Sequence, residues 1–282
     1  MASAIPEPMV WALRLTLANL LLQPIGPWWL RGGILSLALL GLLWPRVLAL
    51  PALWLTLALL TGARVIADWP LSDNHAYLMS YWCLACGLAL YADRPVDALA
   101  RNACWLLGLV FLWASIWKIV GSADYGSGLF FRVTMVMDPR LEGFARLVGG
   151  LSGQELELLR DYVGAHVDGN LLAAMAAPEV PRRFAYVAQA AAWWNMFINA
   201  ALAVAFLAPA QWLVSRARNV LLLVYCISTY AVATVAGFGW LLIAMAVSQT
   251  EADERRLRIA YVATFVLILL YREIPWSQLL LA

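Results

Sequence analysis

The stretch from Phe111 to Phe130 reads FLWASIWKIVGSADYGSGLF and holds Lys118, the single lysine among 19 lysine and arginine residues. Lys118 stands near the end of a long apolar run. A cation at the centre of a spanning helix costs about 2.5–3.5 kcal/mol on insertion scales. A lysine, unlike an arginine, can shed its proton in a dry site and serve as a general base. Two readings follow. Lys118 is either a base facing a pocket or a cation that snorkels to the headgroups from three residues before Gly121.

A second cluster is DWPLSDNHAYL, in which Asn74 and His75 open a helix that Ser72 or Asp73 is placed to cap. An Asn-His pair at a helix start can hold the polar edge of a ligand or pass a proton, and it can equally be structural. The other histidine, His166, is read as a solvated side chain. Tyr77 and the tryptophans at 69, 82, 113 and 117 are close to these motifs in sequence. They are expected to wall an apolar ligand pocket, with Trp117 and Tyr77 nearest the base and the histidine. Asn195 and Asn199 are one turn apart inside another apolar run, placed either to bond neighbouring helices or to line a polar cavity beside Lys118. Cys83 and Cys86 put two thiols on one helix face, which admits quinone-linked thiol exchange as well as close helix packing. The four cysteines all fall in apolar runs and form no secreted-type disulfide framework, and no metal site is expected.

The elements that carry these residues are read from composition. Of 282 residues 64% are hydrophobic and 13% charged, which places the chain among integral membrane proteins. The 15 tryptophans suit interfacial belts. A net charge of +2, with charges in short clusters, excludes nucleic acid as a partner and leaves membrane lipid as the main one. Apolar runs predict an all-α, polytopic helical bundle with about seven to nine spanning helices, forming one domain over residues 1–282. The first run lacks a basic n-region and a cleavage site and is expected to stay. With nine helices, Arg46, Arg94, Arg101, Arg216, Arg218, Arg255, Arg256 and Arg258 share one side, which the positive-inside rule makes cytoplasmic. The opposite, periplasmic side then carries His75, the end of the Lys118 helix and residues 121–183. In that segment Leu141, Phe144, Leu147 and Val148 suggest one apolar helix face, and Leu156, Leu158, Leu159 and Val163 another. Short amphipathic helices lying on the membrane or capping the bundle are expected there. The scarcity of lysine beside abundant alanine and leucine fits a GC-rich bacterial genome, and hence a bacterial inner membrane.

Taken in order, a Trp-containing loop running into Asn-His-x-Tyr-Leu, the spanning helix ending in Lys118 with a polar turn, an aromatic and a glycine, and the late VAGFGWLLIAMAVSQ resemble the HTTM family. This horizontally transferred transmembrane domain is related to the membrane domain of the vitamin K-dependent gamma-glutamyl carboxylases. The resemblance implies that Lys118 deprotonates a reduced quinone of the vitamin K hydroquinone or menaquinol type. Oxygen attack then generates a stronger base, which takes a proton from a peptide glutamate before CO2 adds. It also implies that Asn74 and His75 lie near the quinone. The family pattern has two adjacent lysines where this chain has Trp117-Lys118, and Ala-Gly where it has Ala114-Ser115. The large lumenal region that binds a propeptide is expected to be missing.

The expectation is therefore a multi-pass membrane enzyme with Lys118 and His75 as catalytic residues and Asn74, Tyr77, Trp117 and Asn195 as cofactor-binding residues. It would use a reduced quinone, O2 and, for carboxylation, CO2 to modify a secreted peptide. The rival readings are a non-catalytic accessory or binding protein for peptide maturation, a thiol oxidoreductase, and a transporter.

Overall fold

The computed structural model describes residues 6–23, 26–70, 72–121, 123–165, 179–232, 235–274 and 279–281; His166 lies outside them. Among the described residues there are 15 α-helices, one 3-10 turn and no strand, as the all-α reading requires. The chain divides into two compact units, Met1–Val110 with Val235–Leu269, and Phe111–Thr234 with Leu270–Ala282.

The first unit contains α1 (Glu7–Leu22), α2 (Trp28–Leu43), α3 (Pro45–Leu48), α4 (Pro51–Ala67), α5 (Asn74–Ala89), the start of α6 (Pro95–Val120), α14 (Ala236–Val247) and most of α15 (Arg255–Glu273). Proline begins α3, α4 and α6, where its missing N–H costs nothing and its fixed φ favours the first turn. Nearly every side of α14 is buried, from Gly239 to Val247 without a break, so this helix is the centre of the unit. Three polar side chains in this apolar interior tie helices together. Asn19 donates to the Gly237 carbonyl at 3.0 Å, Trp82 to the Thr16 hydroxyl at 2.8 Å and Trp240 to the Phe265 carbonyl at 3.0 Å. Burying such groups unpaired would cost more than their bonds return. Ser72 does not cap α5; its hydroxyl instead donates to Val65, one of the last carbonyls of α4, and Asp73 occupies the N-cap position without a side-chain bond.

The second unit holds the end of α6, α7 (Ala123–Gly126), α8 (Leu129–Met137), the 3-10 turn Pro139–Leu141, α9 (Glu142–Leu147), α10 (Gly153–Ala165), α11 (Arg182–Leu207), α12 (Leu213–Arg216) and α13 (Arg218–Val232). The short helices α8 to α10 form one apolar cluster with the start of α11: Met135, Val136, Leu141, Leu156, Val163 and Phe184 are all buried. Their apolar faces are thus covered by one another. Two positions depart from the expected stripes. Leu158 is 68% exposed because the buried face of α10 runs Leu156, Leu159, Val163 at i, i+3, i+7, and Val148, 41% exposed, stands past the last residue of α9. Arg183 closes the C-terminus of α9 by donating to the carbonyls of Leu147 and Val148.

Ser152 and Glu155 form a reciprocal capping box at the start of α10: the Ser152 N–H and hydroxyl donate to the Glu155 carboxylate, and the Glu155 N–H donates to the Ser152 oxygen. The Ser152 backbone bond, then its hydroxyl, hold the Glu155 carboxyl below its usual range. A depressed folded value contributes stability above the unfolded pKa, about 4.3, and loses it as pH falls through the folded value. Amide exchange in the first turn of α10 should therefore accelerate on acidification below about pH 4 relative to the rest of the helix. Glu155→Gln should flatten that dependence, and an unchanged pH profile in this variant would refute the assignment.

Two helices, Pro95–Val120 and Arg182–Leu207, are long and apolar enough to cross a membrane, each 26 residues or about 39 Å. Trp28–Leu43, Pro51–Ala67, Arg218–Val232 and Ala236–Val247 are apolar and shorter. The last two of these are separate helices, α13 and α14.

Candidate functional site

Phe111, Ser115 and Lys118 recur at i, i+4 and i+7 on one face of α6, where Phe111 and Ser115 are buried. Trp113, Trp117 and Val120 form the opposite stripe and are 66%, 71% and 81% exposed. The helix ends at Val120, and α7 brings Tyr125 back under the lysine. The Lys118 Nζ lies 5.5 Å from the centroid of the Tyr125 ring, within cation–π range. No ion pair joins Lys118 to a carboxylate among the described residues.

Tyr125 is held on both ends. Its ring stacks on Phe130 at 5.0 Å and meets the edge of Phe131 at 5.5 Å, and its hydroxyl donates to Asn195 Oδ1 at 2.9 Å. Asn199 donates to the same oxygen at 2.8 Å and to the Asn195 carbonyl at 2.7 Å. Burial, with the Tyr225 phenol second, pushes the Tyr125 hydroxyl well up from its ordinary value, so it stays protonated and remains a donor. The turn that carries Tyr125 is pinned to α11: Gln189 and Trp193 both donate to the Gly126 carbonyl, at 2.5 and 3.3 Å. Gly128 has φ +77°, and a Cβ there would come within 2.9 Å of the Gln189 Cα, so the turn can lie against α11 only with glycine at this position. Phe111 meets Tyr225 of α13 edge-on at 5.2 Å.

Lys118 and Asn195 are thus brought together through the aromatic of the turn, to which the sequence assigned no site role. Tyr125 is seven residues beyond the lysine, in the polar turn after the helix, and its partner Asn195 is 70 residues further on. Asn74, His75 and Tyr77 belong to the first unit. Asn74 is exposed and Tyr77 half-buried. His75 lines a small cavity in the first unit with Leu20, Gln23, Thr61, Arg64, Ala76 and Met79. Its volume, about 10 Å³, is that of roughly one water site. His75 Nε2 is 3.9 Å from the Asp73 carboxylate. Of the tryptophans expected as pocket walls, Trp69, Trp113 and Trp117 are at least 66% exposed, and Trp82 is fully buried with its N–H spent on Thr16. The rings around Lys118 and Tyr125 are instead Phe130 and Phe131. Cys83 and Cys86 are free thiols, both fully buried.

The hydrogen bonds order the effects of substitution. Tyr125→Phe leaves Asn195 Oδ1 still bonded to Asn199 and should lower stability by about 0.5–1.5 kcal/mol. Asn195→Leu leaves the buried Tyr125 hydroxyl without its acceptor and should cost about 1–3 kcal/mol. Thermal unfolding in detergent checks the order, and a Tyr125→Phe loss as large as that of Asn195→Leu would contradict it.

No protein-family model, no curated protein and no solved structure matches the chain.

Proposed function

We propose that this chain is a multi-pass membrane enzyme of the HTTM type, in which Lys118 is the general base toward a hydroxyl of a lipid-soluble quinol. The observation that carries this reading is the setting of Lys118. It stands on the inward face of an apolar 26-residue helix, without a carboxylate partner among the described residues, and over the ring of Tyr125. A structural cation at such a position would be expected to have an ion pair or open access to the headgroups. The surroundings suit an aromatic diol. Phe130 and Phe131 supply apolar walls, and the Asn195 amide nitrogen, not engaged among the described residues, is left to donate to a ring oxygen.

When bound, a reduced quinone of the menaquinol or vitamin K hydroquinone type supplies the electrons that react with O2. The chain's own part is to accept a proton at Lys118 Nζ, to hold the neighbouring hydroxyl and amides fixed and to keep water out. The acceptor is a secreted peptide, with carboxylation by CO2 as one outcome. Support for a polytopic bundle in a bacterial inner membrane comes from the further apolar helices and from large apolar residues facing outward, among them Leu59, Ile66 and Val220 at 74%, 78% and 62% exposure.

Thermal unfolding in detergent with menaquinol, ubiquinol and a short-chain vitamin K hydroquinone, alongside oxygen uptake, tests the reading in wild type and Lys118→Ala. A bound quinol should raise the unfolding temperature with concentration, and wild type should consume oxygen. Stabilisation without uptake would favour the binding-protein reading. Neither effect, in folded protein, would leave the resemblance without a function.

A further inference from the structure

The cavity beside His75 has a feature that the Lys118 reading does not use: its polar lining is dominated by donors. Arg64 stands in the last turn of α4. Its Nε donates to Asp68 at 3.3 Å, and among the described residues its two terminal nitrogens have no hydrogen-bond partner. The Arg64 side chain is only 17% exposed. His75 and Ala76 stand in the first turn of α5, whose N-cap residue makes no side-chain bond to the helix; the Ala76 N–H donates to the Asp73 carbonyl at 2.9 Å. Gln23 adds an amide at the end of α1. The rest of the lining, Leu20 and Met79, is apolar, and the Thr61 hydroxyl is already donated to the Leu57 carbonyl at 2.7 Å.

Two glycines fix these walls. Gly26 has φ +57°, and a Cβ there would lie 3.1 Å from Arg64 Cγ, so the chain presses on the arginine stem and restricts its swing. At Gly237 a Cβ would fall 1.0 Å from Gln23 Nε2, which means the Gln23 amide occupies the space a side chain would take. Arginine and glutamine are thus both held by backbone where they border a space for about one oxygen atom.

We propose that this cavity binds a carboxylate, one oxygen of which enters between Arg64 and His75 while the remainder of the ligand lies outside. Arg64 offers an unbonded terminal N–H to the entering oxygen, and its charge strengthens that bond. The charge count favours a monoanion over a phosphate. Arg64, Asp68 and Asp73 together carry −1, with the two carboxylates 38% and 69% exposed and screened by solvent, so an anion is held here by direct bonds to Arg64 rather than by net charge, and a dianion meets more repulsion than a monoanion. The site is built wholly within the first unit and does not rest on the chemistry assigned to Lys118.

The test is thermal unfolding of the purified full chain in detergent, titrated with sodium formate and sodium acetate, with total ionic strength held constant by sodium chloride. A saturable rise in unfolding temperature is expected for a carboxylate, with phosphate giving none. Arg64→Gln should weaken the apparent affinity about tenfold or more, since charge-assisted bonds are lost. If Arg64→Gln does not fold, His75→Phe replaces it, with a weakening of at least about threefold expected from the loss of one donor. Binding can also be followed directly by saturation transfer from the protein to formate. No saturable effect of either carboxylate on folded wild type, an affinity unchanged in a folded variant, or an equal saturable rise with phosphate would each overturn the proposal.

Discussion

Lys118→Arg should be as inactive as Lys118→Ala in quinol-dependent oxygen uptake, with both reduced by about 10²–10⁴-fold, the usual contribution of a positioned base. The comparison separates the two readings of this residue. A snorkelling lysine needs only its charge and its length, so arginine would replace it with little loss. A base must give up its proton, which the guanidinium does not do. The arginine variant also keeps the cation over the Tyr125 ring, so a loss of activity cannot be assigned to the missing contact. Initial rates at saturating quinol, with unfolding temperatures to show that both variants fold, decide the matter. Arginine activity within a few-fold of wild type would remove Lys118 from the chemistry. Because Lys118 is the only lysine in the chain, an amine-selective label reports on it with the N-terminus as the sole competitor. Protection of that amine by bound quinol would show contact independently of turnover.

The second large effect is structural. Arg258→Met should lower stability by about 2–5 kcal/mol. Arg258 is 4% exposed, and its guanidinium donates to the carbonyls of Glu251 and, at 2.8 Å, Ala252, closing the turn before α15. Methionine fills the volume but leaves two carbonyls without their donors. The ion pair to Glu7 at 3.6 Å should matter much less, because Glu7 is 62% exposed and its charge is well screened. Glu7→Gln is accordingly expected to cost less than about 1 kcal/mol. Denaturant or thermal unfolding of the two variants tests the ranking, which is wrong if Glu7→Gln matches Arg258→Met.

Lys118 and Asn195 were legible because a cation and an amide inside apolar runs are costly exceptions, and exceptions stand out in a pattern. Tyr125 was not, since an aromatic residue in a polar turn is ordinary and its value comes from a bond to a residue 70 positions away. The helices themselves followed from apolar runs and prolines. What the runs could not give was facing. Trp113 and Trp117 sit beside the base in sequence yet turn outward, because consecutive helix positions differ by about 100° and only i+3, i+4 and i+7 share a side. Leu158 was assigned to a buried stripe for the same reason and is exposed. Arg64 and Gln23 carried no signal, since the cavity they line with His75 exists only once α1, α4 and α5 meet.

The clamp on the turn after α6 has a mechanical consequence. Gln189 and Trp193 grip the Gly126 carbonyl and Asn195 grips the Tyr125 hydroxyl, so three side chains within seven residues of one helix hold two adjacent residues of one turn. Trp193 and Asn195, two positions apart, leave α11 about 200° apart, so the turn is gripped from two sides of that helix. A shift of α11 would therefore carry the ring under Lys118 with it.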